Sequence, residues 1–154
     1  MKKALVLGGT GATGKHVIKE LRENEQISKI KMLNRRQVEL PEGPGLDKVE
    51  QVIVDYDNLD KSKADFSEVD LAFCCLGTTN PNLGLKEGFV KVDYDYVVNS
   101  AKILKEANCA DFHLISSKGE FLSALRLRTQ LLYFTLSVII HCVQIGGLAL
   151  LWLK

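Results

Sequence analysis

Short apolar runs alternate with amphipathic segments through most of the chain. Continuous apolar runs bounded by polar residues are typical of strands that are buried on both faces of a sheet. Residues 4–7 are such a run, and residues 29–33, 51–54, 69–76 and 111–115 are predicted as the other four strands. Apolar residues recur at helical spacing between them, over residues 15–25, 58–66 and 89–107. This alternation predicts an α/β fold, a doubly wound parallel (Rossmann) sheet of five strands over residues 1–120, with the usual strand order 3-2-1-4-5.

The pattern changes after this domain, and residues 121–154 read as a separate hydrophobic tail. From Thr129 to Leu153 there is no charged side chain, and residues 131–153 are long enough to cross a membrane core of about 30 Å as one helix. Arg126 and Arg128 precede this segment, as expected for a C-terminal anchor that faces the cytosol. Two other interpretations stay open. The tail could fold onto the exposed edge of the sheet, or it could be a variant end produced by splicing or a misread gene boundary.

Composition narrows the class of protein. The 154 residues are 46% hydrophobic and 25% charged with a net charge of +1, so no basic stripe favours nucleic acid as a partner. The cysteines are Cys74, Cys75, Cys109 and Cys142, and none has the spacing of a metal site or of a redox pair. We therefore expect free thiols in a cytoplasmic domain.

Three early glycines form the strongest motif of the chain. Gly8, Gly11 and Gly14 follow the first predicted strand directly and open the first predicted helix. The first glycine permits a tight turn, the second lets the backbone approach a diphosphate, and the third lets the helix pack close to the strand. The motif predicts a nucleotide-binding site.

Residues at the ends of other strands refine this prediction. Arg35 and Arg36 stand where an NAD-preferring site would carry a carboxylate, so they favour the 2′-phosphate of NADP(H). Asp55 ends the third strand, where it could accept a hydrogen bond from the adenine amino group or serve as a turn residue. Leu76 and Gly77 end the fourth strand, where a glycine lets the chain pass close to the ribose or the diphosphate.

The stretches GGTGATGKHV, LNRR, FCCLGTTN and FHLISSKG resemble the Tat-interactive oxidoreductase family of atypical short-chain dehydrogenases, and the likeness ends near Gly119. The resemblance implies NADPH binding, with Thr10, Gly11, Ala12 and Thr13 at the phosphates, Arg35 and Arg36 at the 2′-phosphate, and Leu76 and Gly77 beside the ribose. It also implies nuclear transport receptors as partners, a role in apoptosis, and a location in the cytoplasm or at the nuclear envelope.

The catalytic pair of short-chain dehydrogenases, Tyr-x-x-x-Lys, occurs nowhere in this sequence. Ser117 is the remaining catalytic candidate, but it has no proton donor beside it. We expect it to be a polar residue at a strand end rather than a catalytic residue. The family's sixth strand and substrate lobe are also expected to be missing. These observations predict an NADP(H)-binding interaction or regulatory protein without reductase activity. The alternatives are an active NADPH-dependent oxidoreductase with an unrecognised proton donor, and a regulator tethered to a membrane through residues 131–153.

Overall fold

The computed structural model of the chain describes residues 1–77, 88, 90–116 and 135–140. The strands are β1 (Lys2–Leu7), β2 (Ile27–Asn34), β3 (Val49–Ile53), β4 (Leu71–Cys74), β5 (Asp111–Ser116) and β6 (Thr135–Ile140). The α-helices are α1 (Ala12–Glu23) and α2 (Tyr96–Glu106), and a π-helical turn, Lys91–Asp95, leads into α2. Turns of 3-10 helix lie at Leu46–Lys48 and Tyr56–Phe66.

The strands form one parallel sheet in the order β3-β2-β1-β4-β5-β6. This confirms the predicted parallel sheet and the predicted order of the first five strands. In the register, Leu7 of β1 is opposite both Leu33 of β2 and Cys74 of β4. The carboxyl ends of these strands therefore meet at one edge, and the glycine turn lies between the loops that leave β2 and β4.

Each face of the sheet buries its own hydrophobic layer, because successive side chains of a strand point to opposite faces. Leu5 and Leu7 of β1 belong to the layer covered by α2, whereas Ala4 and Val6 belong to the layer covered by α1. Helix α1 contributes Ile18 and Leu21 to this second layer. The α2 side chains of the first layer are Val97, Val98, Ala101, Ile103 and Leu104. A central sheet covered on both faces explains the continuous apolar runs.

The prediction for the tail is wrong over residues 135–140. The expected C-terminal helix and the expected loss of a sixth strand fail there, because Thr135–Ile140 form β6, paired in parallel with Asp111–Ser116 of β5. Of the interpretations that the sequence left open, these six residues follow the one in which the tail folds onto the exposed edge of the sheet. An uncovered β5 edge would present unpaired N–H and C=O groups, and the β-branched sequence TLSVII suits a strand that satisfies them. The remaining residues of 131–153 lie outside the described part of the chain. Within the described ranges, no helix has the length and apolar character needed to cross a membrane.

Candidate nucleotide-binding site

A solvent-open cleft of about 250 Å³ lies at the carboxyl edge of the sheet. It brings together several residues predicted from sequence, namely Gly8, Thr10, Gly11, Arg35, Leu76 and Gly77. Sequence reasoning did not predict the other lining residues, which are Leu33, Asn34, Tyr56, Cys75, Val92 and Tyr96. The cleft thus collects residues from the ends of β1, β2 and β4 and from the start of the α2 region.

The glycine turn is the tightest part of the cleft wall. Gly8 has φ of +74°, a left-handed conformation that side chains rarely adopt, and a Cβ built on it would lie 2.7 Å from the Cys75 carbonyl oxygen. The Gly11 N–H donates to the Gly8 carbonyl at 3.1 Å, which closes the turn. A Cβ built on Gly14 would lie 2.2 Å from the Gly8 oxygen and 2.7 Å from the Gly9 Cα. Glycine at positions 8 and 14 is therefore required for α1 to begin close behind β1.

Helix α1 begins at Ala12 directly over this turn, with Gly11 at its N-cap. No side chain caps the first turn, and the first turn contains no acidic residue. The N–H groups of Ala12, Thr13 and Gly14 have no intrahelical acceptors, because the first N–H groups of any α-helix lack one. Together with the helix dipole, they give this end of the cleft a partial positive charge that favours an anion.

The two arginines after β2 point to different cavities. Arg35 lines the cleft, whereas Arg36 lines a second cavity of about 700 Å³ between α1 and the loop of residues 37–45. Thr10 lines both cavities, so they adjoin at the glycine turn. Both arginines are exposed, and neither guanidinium forms a hydrogen bond or an ion pair with the part of the chain that the structure describes. Both are therefore available to an anionic ligand.

Two tyrosines that the sequence analysis missed form the inner wall of the cleft. The hydroxyl of Tyr56, which is buried, donates to the Leu33 carbonyl at 3.0 Å, and burial raises the pKa of Tyr56. The Tyr96 ring lies 5.3 Å from the Tyr56 ring, tilted by 35°. Tyr56 could have been suspected because it follows Asp55 at the end of a strand. Tyr96 gave no separate signal, because its place in the apolar stripe of a helix suggested a core residue.

The chain matches a family of nucleotide-binding domains over most of its length. A family model described as "Semialdehyde dehydrogenase, NAD binding domain" matches residues 3–111. The chain belongs to this family. It is therefore an NAD(P)-binding Rossmann protein.

Individual relatives agree with this assignment. The chain is 40% identical over 118 residues to Protein HTATIP2 of Rattus norvegicus, a match that covers 77% of this chain and 48% of the relative. It is 36% identical over 117 residues to the mitochondrial Protein FMP52 of Saccharomyces cerevisiae, covering 75% of this chain and 49% of the relative. The chain thus spans about half the length of these relatives. The likeness to HTATIP2 confirms the resemblance to the Tat-interactive family.

A solved structure supports the fold. A mutant uronate dehydrogenase from Agrobacterium tumefaciens, complexed with NAD, superposes with a TM-score of 0.61 at 18% identity. The superposition covers 76% of this chain and 41% of the dehydrogenase. At this identity the likeness supports the Rossmann fold and carries no information on substrate.

Tyr96 has a lysine close to its hydroxyl, as the catalytic tyrosine of a short-chain dehydrogenase does, so the pKa of the two tyrosines can be compared. Its hydroxyl donates to Asp57 Oδ1 at 2.6 Å, and Lys91 Nζ binds the same oxygen at 2.7 Å. Burial, reinforced by the hydrogen bond to Asp57, raises the pKa of Tyr96. A reductase needs the opposite shift, because a nearby lysine must lower the pKa of the proton-donating tyrosine. Tyr96 thus lines the cleft with its hydroxyl held by Asp57.

Asp55 and Ser117 are the two remaining site residues that the sequence predicted. The Asp55 carboxylate accepts from the Asp57 N–H at 3.0 Å and thereby caps the 3-10 turns Tyr56–Phe66. The sequence left two roles open for Asp55, a turn residue and a contact to adenine, and this hydrogen bond is the turn role. Asp55 is not among the residues that line the cleft. Ser117 lies outside the described residues.

Proposed function

We propose that the cleft binds NADP(H), with the diphosphate on the backbone N–H groups of Gly11, Ala12 and Thr13 and beside Thr10. The observation that carries the proposal is the convergence of the uncapped start of α1, the tight glycine turn and Arg35 on one cleft. Leu76 and Gly77 provide the opposite wall, where the chain passes close enough for a ribose to contact it. Asp55 stays a predicted partner of the adenine amino group.

The preference for the 2′-phosphate rests on charge. After β2, where an NAD-preferring site would carry a carboxylate, the chain has Arg35, which lines the cleft. Arg35 lines the cleft and Arg36 lines the adjoining cavity, and Thr10 lines both. Guanidiniums at this junction would recognise a phosphate by charge-assisted hydrogen bonds. Each charge-assisted hydrogen bond to such a phosphate contributes about 1.5–3 kcal/mol.

The test is calorimetric titration of the chain with NADPH and NADH. NADPH is expected to bind at least tenfold more tightly, which corresponds to about 1.4 kcal/mol or one charged contact. Arg35→Ala and Arg36→Ala should each lower the affinity for NADPH and leave the affinity for NADH nearly unchanged. Lys29→Ala is the matched control, since it removes an exposed cation of β2 that pairs with Glu50. Equal affinities for the two nucleotides in the wild-type chain would reject the NADP(H) assignment.

With nucleotide bound, we propose that the chain acts as an interaction or regulatory protein rather than as a reductase. Two facts support this: the sequence has no Tyr-x-x-x-Lys, and Tyr96 is held by Asp57. Nuclear transport receptors as partners, a role in apoptosis and a cytoplasmic or nuclear-envelope location belong to this proposal through the resemblance to the Tat-interactive family. Pull-down of a nuclear transport receptor with and without NADPH tests it, and capture that is independent of both nucleotide and Arg35 would contradict it.

An oxidoreductase is the second candidate, because the matching family model is described as a dehydrogenase domain. Such activity requires a proton donor that sequence reasoning did not recognise, or one supplied by another subunit. Steady NADPH oxidation by the purified chain with any member of a carbonyl panel would favour this candidate. A rate of NADPH oxidation no higher than that of the Arg35→Ala variant would count against it.

Tethering to a membrane through residues 131–153 is tested by carbonate extraction of the expressed protein.

A further inference from the structure

The turn that carries the two arginines is closed by a side chain from the neighbouring strand. Asn34 ends β2 and is buried, and Val38 lies four residues later. Between them, Arg35, Arg36 and Gln37 are all exposed. Gln51 of β3 bridges the two ends of this turn. Its Oε1 accepts from Asn34 Nδ2 at 3.1 Å and from the Val38 N–H at 3.1 Å, while its Nε2 donates to the Val38 carbonyl at 2.8 Å.

The side-chain amide of Gln51 pairs with Val38 as a strand neighbour would. Both backbone groups of Val38 are satisfied by one side chain, and the remaining acceptor site on Oε1 is filled by Asn34. Neighbouring groups fix the orientation of the amide, because two donors face its oxygen and one acceptor faces its nitrogen. The backbone of Asn34 is also held, since its carbonyl accepts from the Val54 N–H at 2.9 Å. Both ends of the arginine turn are thus fixed, and only residues 35–37 span the gap.

We infer that Gln51 is the positioning residue for recognition of the 2′-phosphate: it holds the arginine turn in the binding conformation before the ligand arrives. Fixing the backbone of one residue costs about 1–2 kcal/mol. A turn that is already closed avoids most of this cost when a ligand binds. Gln51 does not line the cleft, so it acts through Arg35 and Arg36 and not by contact with the nucleotide. The inference rests on the proposed NADP(H) site.

The test compares 2′,5′-ADP with ADP, because the pair differs only in the 2′-phosphate. Gln51→Met keeps the length of the side chain and removes all three hydrogen bonds. We expect this substitution to lower the affinity for 2′,5′-ADP about tenfold and to change the affinity for ADP less than about twofold. Glu50→Gln, on the same strand, breaks only the exposed pair with Lys29 and is the matched control, with both affinities unchanged.

Four outcomes are distinguishable. If the wild-type chain prefers 2′,5′-ADP and Gln51→Met loses the preference, the inference is supported. If Gln51→Met keeps the preference, or weakens both ligands equally, the role of Gln51 is overturned while the NADP(H) site stands. If the wild-type chain has no preference, the NADP(H) proposal fails and the role of Gln51 fails with it. Should Gln51→Met not fold, Gln51→Asn keeps a neutral amide that is one methylene too short to bridge Asn34 and Val38, and the same loss of preference is expected.

Discussion

Replacing Gly14 by alanine tests whether the close contact between α1 and the glycine turn supports binding. The added Cβ would lie 2.2 Å from the Gly8 carbonyl oxygen, whereas ordinary contact begins at 3.4 Å. Relief requires the start of α1 to move away from the turn by about 1.2 Å, because the obstructing atom belongs to the backbone and not to a flexible side chain.

Two opposing effects decide the stability of Gly14→Ala. Alanine favours the helix by about 1 kcal/mol over glycine, while overpacking that forces backbone to shift costs about 3 kcal/mol, the upper end of the usual range. We expect a net loss of about 2 kcal/mol in the free energy of unfolding. For a domain of this size, that corresponds to a decrease of about 6 °C in Tm.

Binding should suffer more than stability. A displacement of about 1 Å lengthens the hydrogen bonds from the first N–H groups of α1 to a diphosphate, and charge-assisted bonds weaken steeply with distance. The affinity for NADPH should therefore fall at least tenfold at a temperature where the variant is fully folded.

The assay is thermal unfolding followed by titration with NADPH. Gly9→Ala is the matched control: the atoms nearest to its Cβ belong to the Met32 side chain, with Cε at 2.8 Å and Cγ at 3.0 Å, and not to backbone, so the loss should be smaller than for Gly14→Ala. If Gly14→Ala were as stable as the wild-type chain and bound NADPH equally well, the proposed packing of α1 would be refuted.

Three further predictions concern the scaffold of the cleft. Tyr56→Phe leaves the buried Leu33 carbonyl without its partner and should cost about 1–2 kcal/mol by denaturant unfolding, and no change would contradict the hydrogen bond. Arg22→Met removes three hydrogen bonds to the carbonyls of Pro41, Gly43 and Pro44, so a glutamate-specific protease should cut the loop of residues 37–45 after Glu39 or Glu42 faster than in the wild-type chain, and an equal rate of cutting would argue against this anchoring. Burial raises the pKa of Cys74 to about 12, so about one thiol in ten thousand is ionised at pH 8. Iodoacetamide should therefore modify Cys74 slowly in the native chain and rapidly in urea, and rapid native labelling in peptide mapping would contradict its burial.

Sequence reasoning found what depends on local pattern. The apolar runs located the strands, and the spacing of Gly8, Gly11 and Gly14 located the turn because each glycine has a steric reason to be there. It could not find contacts made between strands. Gln51 and Tyr56 act on Val38 and Leu33, which are distant in sequence, and neither residue type carries a motif.

The tail shows why hydrophobicity alone was insufficient. A run of uncharged apolar residues fits a membrane helix and a buried strand equally well. The sequence left the exposed edge of the sheet open as one possible partner, and pairing with β5 at that edge makes Thr135–Ile140 a strand. Asp55 shows the same ambiguity on a smaller scale, since a strand-end acid can cap a turn or face a ligand.

The central claim is tested most directly by a crystal structure of the chain with NADPH. The account predicts a diphosphate within hydrogen-bonding distance of the N–H groups of Ala12 and Thr13, and a 2′-phosphate between Arg35 and Arg36. Nucleotide bound only in the second cavity beside α1, or a diphosphate with no contact to the glycine turn, would contradict it.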